Sequence, residues 1–300
     1  MPPGLQLIDL RRRFGDVVAL DGVSFAVDEG TILGFVGPNG AGKTTAMRIA
    51  VGVLEPDGGA VRWRGRSVDG AIRRRFGYIP EERGLYPKMR VQEQLVYLAR
   101  LHGVSRAAAR TRSATLLELL GVADRARDRV ESLSLGNQQR VQLAAALIHE
   151  PDVLILDEPF SGLDPVGTDL LVDVLRRESG DRGVPIVFSS HQLELVERIC
   201  DAVAMIVEGR IVAEGTIEDL RASRTRRLVR IEVLGAEDGW FEAVPGVRLE
   251  DRVPGGVVLE LTDGADEQRL LDLARAVGDV RHFSLVRPSL AQLFREVVAS

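Results

Sequence analysis

The 300-residue sequence predicts an α/β protein in two parts: a core built on a parallel sheet, with a β-rich N-terminal portion and a helical insertion, then a small α+β domain. Three observations carry this. VLILD (153–157) and IVFSS (186–190) are continuous runs of the kind a strand buried on both faces needs, and a helical segment follows each. Residues 91–148 keep helical spacing, as in VQEQLVYLARLHG, ATLLELLG and QQRVQLAAALIHE. Beyond residue 228, short strand-like and helical segments alternate. At roughly 150 residues per domain the length itself allows about two domains, with expected spans of 1–222 and 228–300.

In order, LQLIDL (5–10), VSFAV (23–27) and ILGFVG (32–37) read as strands separated by turn residues. A helix follows from Lys43 to Val53, with apolar residues at Met47, Ile49, Ala50 and Val53, and PDGGA (56–60) is expected to stop it. VRWRG (61–65) and FGYIP (76–80) read as strands before the helical stretch. After IVFSS, AVAMIVEGRIVAEG (202–215) has the form of a hairpin and IEDLRA (217–222) of a short helix. RASRTRRLVR (221–230) reads as a linker or solvated edge. LVRIEVLG, a turn at Val253–Gly256, VVLELT, DEQRLLDLARAVG, HFSLV and SLAQLFREVV complete a small domain with an antiparallel sheet.

Composition narrows the function. With 45% hydrophobic and 28% charged residues the chain is neither disordered nor fibrous. Its 39 Lys plus Arg stand against 44 Asp plus Glu, a formal charge of −5, so the positive excess that binding to a phosphate backbone requires is missing and no nucleic-acid partner is expected. Cys200 is the single cysteine, which fits a reducing compartment. MPPGLQLIDLRRRF has no apolar core of signal-peptide length, and runs such as AVAMIV fall far short of the roughly 18 residues that span a bilayer. Lysine occurs only at 43 and 88.

Lys43 lies in Gly37-Pro38-Asn39-Gly40-Ala41-Gly42-Lys43-Thr44, which satisfies G-x-x-x-x-G-K-[ST] between a predicted strand and a predicted helix. The glycines let successive N–H groups turn inward around a phosphate, and the start of the helix adds its positive end. Lys43 then reaches the β- and γ-phosphates, and the Thr44 hydroxyl is placed for Mg²⁺. A Gly-rich turn with an accidental lysine is the plain alternative, and the strand–helix context weighs against it.

VLILDEP delivers Asp157 and Glu158 at the C-terminal end of a strand, the edge where α/β sheets bind ligands. Asp157 is assigned to Mg²⁺ and Glu158 to the water that attacks the γ-phosphate; a solvated strand end is the alternative. His191 follows IVFSS at the same edge, within reach of a γ-phosphate or that water. His102, His149 and His282 read as surface or satisfied core histidines, and Cys200 as core.

These residues, together with LSLGNQQRVQLAAALIHEPDVLILDEPFSGLDP (133–165), resemble the ATP-binding subunit of ABC transporters, a P-loop NTPase fold, over about residues 5–220. The distinctive element is Leu133-Ser134-Leu135-Gly136-Asn137-Gln138 shortly before the Asp-Glu strand. The resemblance implies ATP and Mg²⁺ as ligands, with Thr45 beside the loop residues in the nucleotide site. It implies a second copy closing head to tail, so that Ser134, Gly136 and Asn137 of one copy cover the nucleotide of the other. Ser134 and the Gly136 N–H are expected to precede a helix over 138–148, although a serine cap is the commoner role of such a residue.

Phe14 lies where an aromatic stacks on adenine, Asp164 in the segment that crosses the dimer interface, and Glu81 where most members carry a glutamine that links Mg²⁺ to the membrane partner. Leu135 and Asn137 also depart from the usual glycine and glutamine. Both departures resemble a subgroup of sodium-extrusion and drug-export ATPases with a small C-terminal domain, to which residues 228–300, ending in Pro288-Ser289-Leu290-Ala291-Gln292-Leu293-Phe294, are similar. The implied role is an ATPase on the cytoplasmic face of the membrane, powering export through a separate permease whose loop helix docks near Glu81. A soluble ABC ATPase of translation or DNA maintenance is the alternative. It predicts paired ATPase units, long heptads or basic surfaces, none of which the sequence carries. A GTPase would need an Asn/Thr-Lys-x-Asp motif, and neither lysine sits in one.

Overall fold

The structure is a computed structural model and describes residues 4–82, 84–222, 227–262, 264–286 and 289–299. Residues 223–226 of the expected linker, Arg83 of the Glu81 loop and Pro288 lie outside the described residues. The chain divides into two compact units, Met1–Ile217 and Glu218–Ser300.

The first unit opens with β1 (Leu5–Phe14), β2 (Val17–Val27), β3 (Ile32–Val36) and α1 (Lys43–Val51). Then come β4 (Gly58–Trp63), β5 (Arg66–Ser67), α2 (Gly70–Arg73) and β6 (Phe76–Ile79). Three longer helices follow, α3 (Val91–Leu101), α4 (Arg106–Leu119) and α5 (Leu135–Leu147), before β7 (Val153–Leu156), α6 (Pro165–Arg182), β8 (Ile186–Ser190) and α7 (Leu193–Ile199). β9 (Ala202–Val207) and β10 (Arg210–Thr216) form the expected hairpin and close the first unit; α8 (Ile217–Ala222) begins at its last residue and runs into the second.

β2, β1, β4 and β5 make an antiparallel sheet; β10-β9-β3-β8-β7-β6 make the core sheet, parallel from β9 to β6 with β10 antiparallel at its edge. β3, β7 and β8 are buried along their whole length, which is why they read as unbroken runs. Leu5, Leu10, Leu20 and Phe25 of the first sheet pack with Leu33 and Phe35 of the second and with Ala46, Met47, Ile49 and Ala50 of α1. The Phe25 and Phe35 rings lie 4.9 Å apart. Each large side chain so buried contributes about 1.5–3 kcal/mol, and together they anchor α1 so that its N-terminus stays at the end of β3.

Register aligns the strand ends. Val36 pairs with Ser190, Leu156 with Phe188 and Ile79 with Leu156. The segments after β3, β6, β7 and β8 therefore emerge along one edge.

Two local expectations are corrected. α1 ends at Val51, where Gly52 takes a left-handed backbone (φ 78) and its N–H closes on Arg48 and Ile49; PDGGA is not the stop, and β4 already begins at Gly58. α5 begins at Leu135, not 138, because the Ser134 side chain caps it and accepts from the Asn137 N–H at 3.4 Å. Gly136 is thus inside the first turn.

The second unit contains β11 (Arg227–Leu234), β12 (Val247–Val253), β13 (Gly256–Leu261), α9 (Glu267–Val277), β14 (Asp279–Val286) and α10 (Leu290–Ala299). Its strands form an antiparallel sheet in the order β12-β13-β11-β14. Val229, Ile231, Leu259 and Leu261 pack on Leu270 and Ala274 of α9.

Candidate functional site

The loop from Gly37 to Gly42 joins β3 to α1. Gly37 lies against β9: a Cβ there would come within 2.2 Å of the Ile206 carbonyl oxygen, so only glycine fits. Gly40 (φ 79) and Gly42 (φ 108) have left-handed backbones, and a Cβ on Gly42 would meet the Ala19 carbonyl at 2.5 Å. The turn of the β9–β10 hairpin clamps the loop from outside. The Gly209 N–H donates to Ala41 O at 3.0 Å, and the Asp21 N–H of β2 donates to Gly209 O at 2.8 Å.

Gly42 caps α1 without a side-chain hydrogen bond, and no acidic residue stands in the first turn. The positive end of the helix is therefore open to an anion. Lys43, only 8% exposed, donates from Nζ to Gly37 O at 2.7 Å and Pro38 O at 3.1 Å. Two of its three N–H groups are used and the third remains for a ligand oxygen. Burial pushes the ammonium below its ordinary pKa, while Glu158, Asp157 and Glu81 act in the opposite direction.

Asn39, Gly40, Gly42, Lys43, Thr44 and Thr45 line one cavity, and Glu81, Asp157 and Glu158 line it from the other strand ends. The Thr44 hydroxyl donates to Glu81 Oε2 at 3.5 Å. Asp157 is 1% exposed; its Oδ1 accepts from Ser189 Oγ at 2.6 Å, while Oδ2 is buried without a partner. Glu158 has a left-handed backbone (φ 50), its N–H donates to Ser189 Oγ at 2.9 Å, and its Oε1 lies 3.1 Å from His191 Nδ1. An unpaired carboxylate oxygen beside a hydroxyl and a second carboxylate is a donor set for a hard cation. Among the described residues no group of three His, Cys, Asp or Glu forms a metal cluster.

The structure thus brings together the loop, Glu81, Asp157, Glu158 and His191. Ser134, Gly136, Asn137 and Asp164 form a second group outside the lining of this cavity. Ser134 caps α5, and Gly136 packs beside the Gly162 carbonyl. Asp164 caps α6, accepting from the Gly167 N–H at 2.7 Å with Arg140 3.6 Å away. Phe14 ends β1, is 47% exposed, and carries the Arg12 guanidinium 4.9 Å from its ring centroid. It does not line the cavity; Val17, Val18 and Ala19 do.

Of the other histidines, His102 and His149 stack with ring centroids 3.8 Å apart, and their nitrogens bond the carbonyls of Arg74 and Phe76. Sequence reasoning passed over Val17–Ala19 and Ser189. The signal for the serine was slight: a hydroxyl closing an apolar strand that runs beside the Asp-Glu strand.

The ABC transporter family model matches residues 20–161, and the model described as ATP-binding protein DrrA1-3-like, C-terminal domain, matches residues 215–298. The chain is 38% identical over 298 residues to the uncharacterized ABC transporter ATP-binding protein YhaQ of Bacillus subtilis (strain 168), covering 99% of each. It is 40% identical over 210 residues to the Nod factor export ATP-binding protein I of Burkholderia orbicola (strain AU 1054), covering 69% of each. A solved structure of the ATP binding subunit of an ABC transporter superposes with a TM-score of 0.68 at 34% identity, over 73% of this chain and 92% of that one. Phosphate loop, strand-end carboxylates and relatives along the whole length agree: the chain belongs to the ATP-binding proteins of ABC transporters.

Proposed function

We propose that this chain binds ATP with Mg²⁺ at the phosphate loop, hydrolyses it as half of a head-to-tail dimer, and powers export through a separate membrane permease. One observation carries the reading: Lys43, Thr44, Glu81, Asp157 and Glu158 line a single cavity, with His191 bonded to Glu158.

The open N-terminus of α1 and the third N–H of Lys43 receive the phosphate oxygens. Thr44, Glu81 and Asp157 would hold Mg²⁺, and the unpartnered Asp157 Oδ2 is the residue atom that best fits it. When bound, the ion supplies charge neutralisation to the β- and γ-phosphates. Glu158 accepts the proton of the attacking water at its carboxylate, and His191 Nδ1 orients that carboxylate from the Oε1 side. Glu81 in place of glutamine adds negative charge beside the phosphates and makes metal affinity a point of divergence in this chain.

Ser134, Gly136, Asn137 and Asp164, outside the cavity of their own chain, close over the nucleotide of a second copy. The free N–H groups at the start of α5 present another positive helix end. Phe14, exposed at the end of β1 and outside the lining of the phosphate cavity, is assigned to the adenine ring. Among the described residues no helix is long and apolar enough to cross a membrane, which supports a separate permease. Its loop helix docks in the groove between β6 and the helical insertion, where Tyr78, Pro80, Leu85, Leu98 and Gln142 line a cavity next to the Glu81 loop. The Nod factor export ATP-binding relative supports export, and a place at the cytoplasmic face of the membrane is part of this reading.

The test is a pull-down from native membranes with the purified chain, with and without ATP, followed by an ATPase assay of what is recovered. Recovery of a polytopic protein that changes the hydrolysis rate is expected. Ribosomes or DNA in its place would overturn the transporter reading and favour a soluble ATPase.

A further inference from the structure

Ser189 is the penultimate residue of β8 and is completely buried. A serine hydroxyl offers one donor and two acceptor sites, and here both capacities go to consecutive acidic residues. Oγ donates to Asp157 Oδ1 at 2.6 Å and accepts the Glu158 N–H at 2.9 Å. The Leu156–Phe188 pair of the parallel ladder sets this up, since the next residue of each strand is Asp157 or Ser189. The following serine serves another task, accepting the Gln192 N–H at 3.0 Å beside His191.

Two consequences follow from the pair of bonds. Asp157 Oδ1 is occupied, so Oδ2 is left as the oxygen without a partner. Glu158, a non-glycine residue with φ 50, has its N–H held by the same hydroxyl, which pins a left-handed backbone that the residue would otherwise leave. We propose that Ser189 is a positioning residue that sets Asp157 for the divalent cation and Glu158 for the attacking water, by bonding both at once from β8. The proposal rests on the ATPase reading above. Groups of this kind, which orient a ligand without touching the metal, typically change affinity or activity by about 10–100-fold when removed.

Ser189→Ala, Ser189→Cys and Ser189→Thr are compared with the parent full-length chain. Three quantities are measured: Mn²⁺ affinity by electron paramagnetic resonance with a non-hydrolysable ATP analogue, metal-free ATP affinity in EDTA, and single-turnover hydrolysis. The Ala variant is expected to lose about tenfold or more in Mn²⁺ affinity and in hydrolysis, while metal-free ATP affinity stays at the parent value. Thr, which keeps the hydroxyl, is expected to restore both to within about threefold.

An Ala variant that binds Mn²⁺ and hydrolyses ATP like the parent overturns the proposal, as does a stably folded Thr variant as deficient as Ala. If Ala does not fold, Cys, close in size but a weak hydrogen-bonder, gives the same decision. A parent chain that neither binds nor hydrolyses ATP defeats the ATPase reading instead, so the two failures are distinct.

Discussion

Glu158→Gln isolates the chemistry from the scaffold. The side chain is 16% exposed and the replacement has the same shape. The Glu158 main-chain bond to Ser189 and the backbone at φ 50 do not involve the carboxylate, so the loop keeps its geometry. On the proposed assignment the proton acceptor is lost, and a general base contributes about 10²–10⁴ in rate, or about 3–5 kcal/mol of barrier at 1.36 kcal/mol per tenfold.

The same change removes negative charge from the cavity. ATP affinity is therefore expected to stay equal or tighten, and ATP-bound dimer to accumulate. Burial already depresses the Lys43 ammonium, and Glu158 is the foremost carboxylate holding it up; in the variant, ATP binding is expected to weaken at a lower pH as pH rises. Single-turnover hydrolysis, equilibrium binding of a fluorescent ATP analogue and size-exclusion chromatography with ATP measure the three effects. A variant that hydrolyses within about threefold of the parent would refute the assignment of the base.

Further outcomes follow from the same geometry. Lys43→Ala removes a buried cation and is expected to weaken ATP binding about 100-fold or more by calorimetry; micromolar affinity would contradict the phosphate-loop reading. Ser134→Arg is expected to block closure and hydrolysis while monomer ATP binding persists, with Ser134→Ala reporting the cap alone, about 1 kcal/mol of stability; unchanged hydrolysis would refute a composite site. His149 is pushed down to about 4 by burial and by His102 beside it. Because the unfolded chain takes up that proton first, stability is present above about pH 6.5 and is lost as pH falls toward 4. His149→Gln is expected to reduce the loss of urea stability between pH 7 and 4.5 by roughly 2 kcal/mol, allowing for partial exposure; an identical decline would contradict the buried neutral ring.

Legibility in the sequence followed the range of the interactions. The phosphate loop is contiguous, and its glycines answer local contacts, so Gly37–Thr44 could be read directly. β3, β7 and β8 announced themselves because burial on both faces removes alternation. In β2 the sequence shows strand character only over 23–27, since Asp21 and Gly22 sit at a register shift against β1 and interrupt the pattern. The sequence shows α5 only from 138, three residues after the helix itself starts, because Leu135, 54% exposed, does not join the apolar stripe, although Ser134 is the cap. Ser189 lies 32 residues from Asp157 along the chain, and no spacing rule links them. The second group at Ser134 and Asp164 shows no chemistry within its own chain, and only the resemblance gave it a role.

The hairpin turn that clamps the phosphate loop has a thermodynamic consequence. Held from below by β9 and from outside by Gly209, whose N–H bonds the Ala41 carbonyl, the loop has few conformations left to lose, so little ordering entropy opposes association. Nucleotide capture is then a lock-like event. On the proposed dimer, the free energy it releases is available to closure between the copies instead of being absorbed in folding the cradle. Slow hydrogen exchange at the Gly209 amide, equal with and without nucleotide, is the signature of that preorganisation.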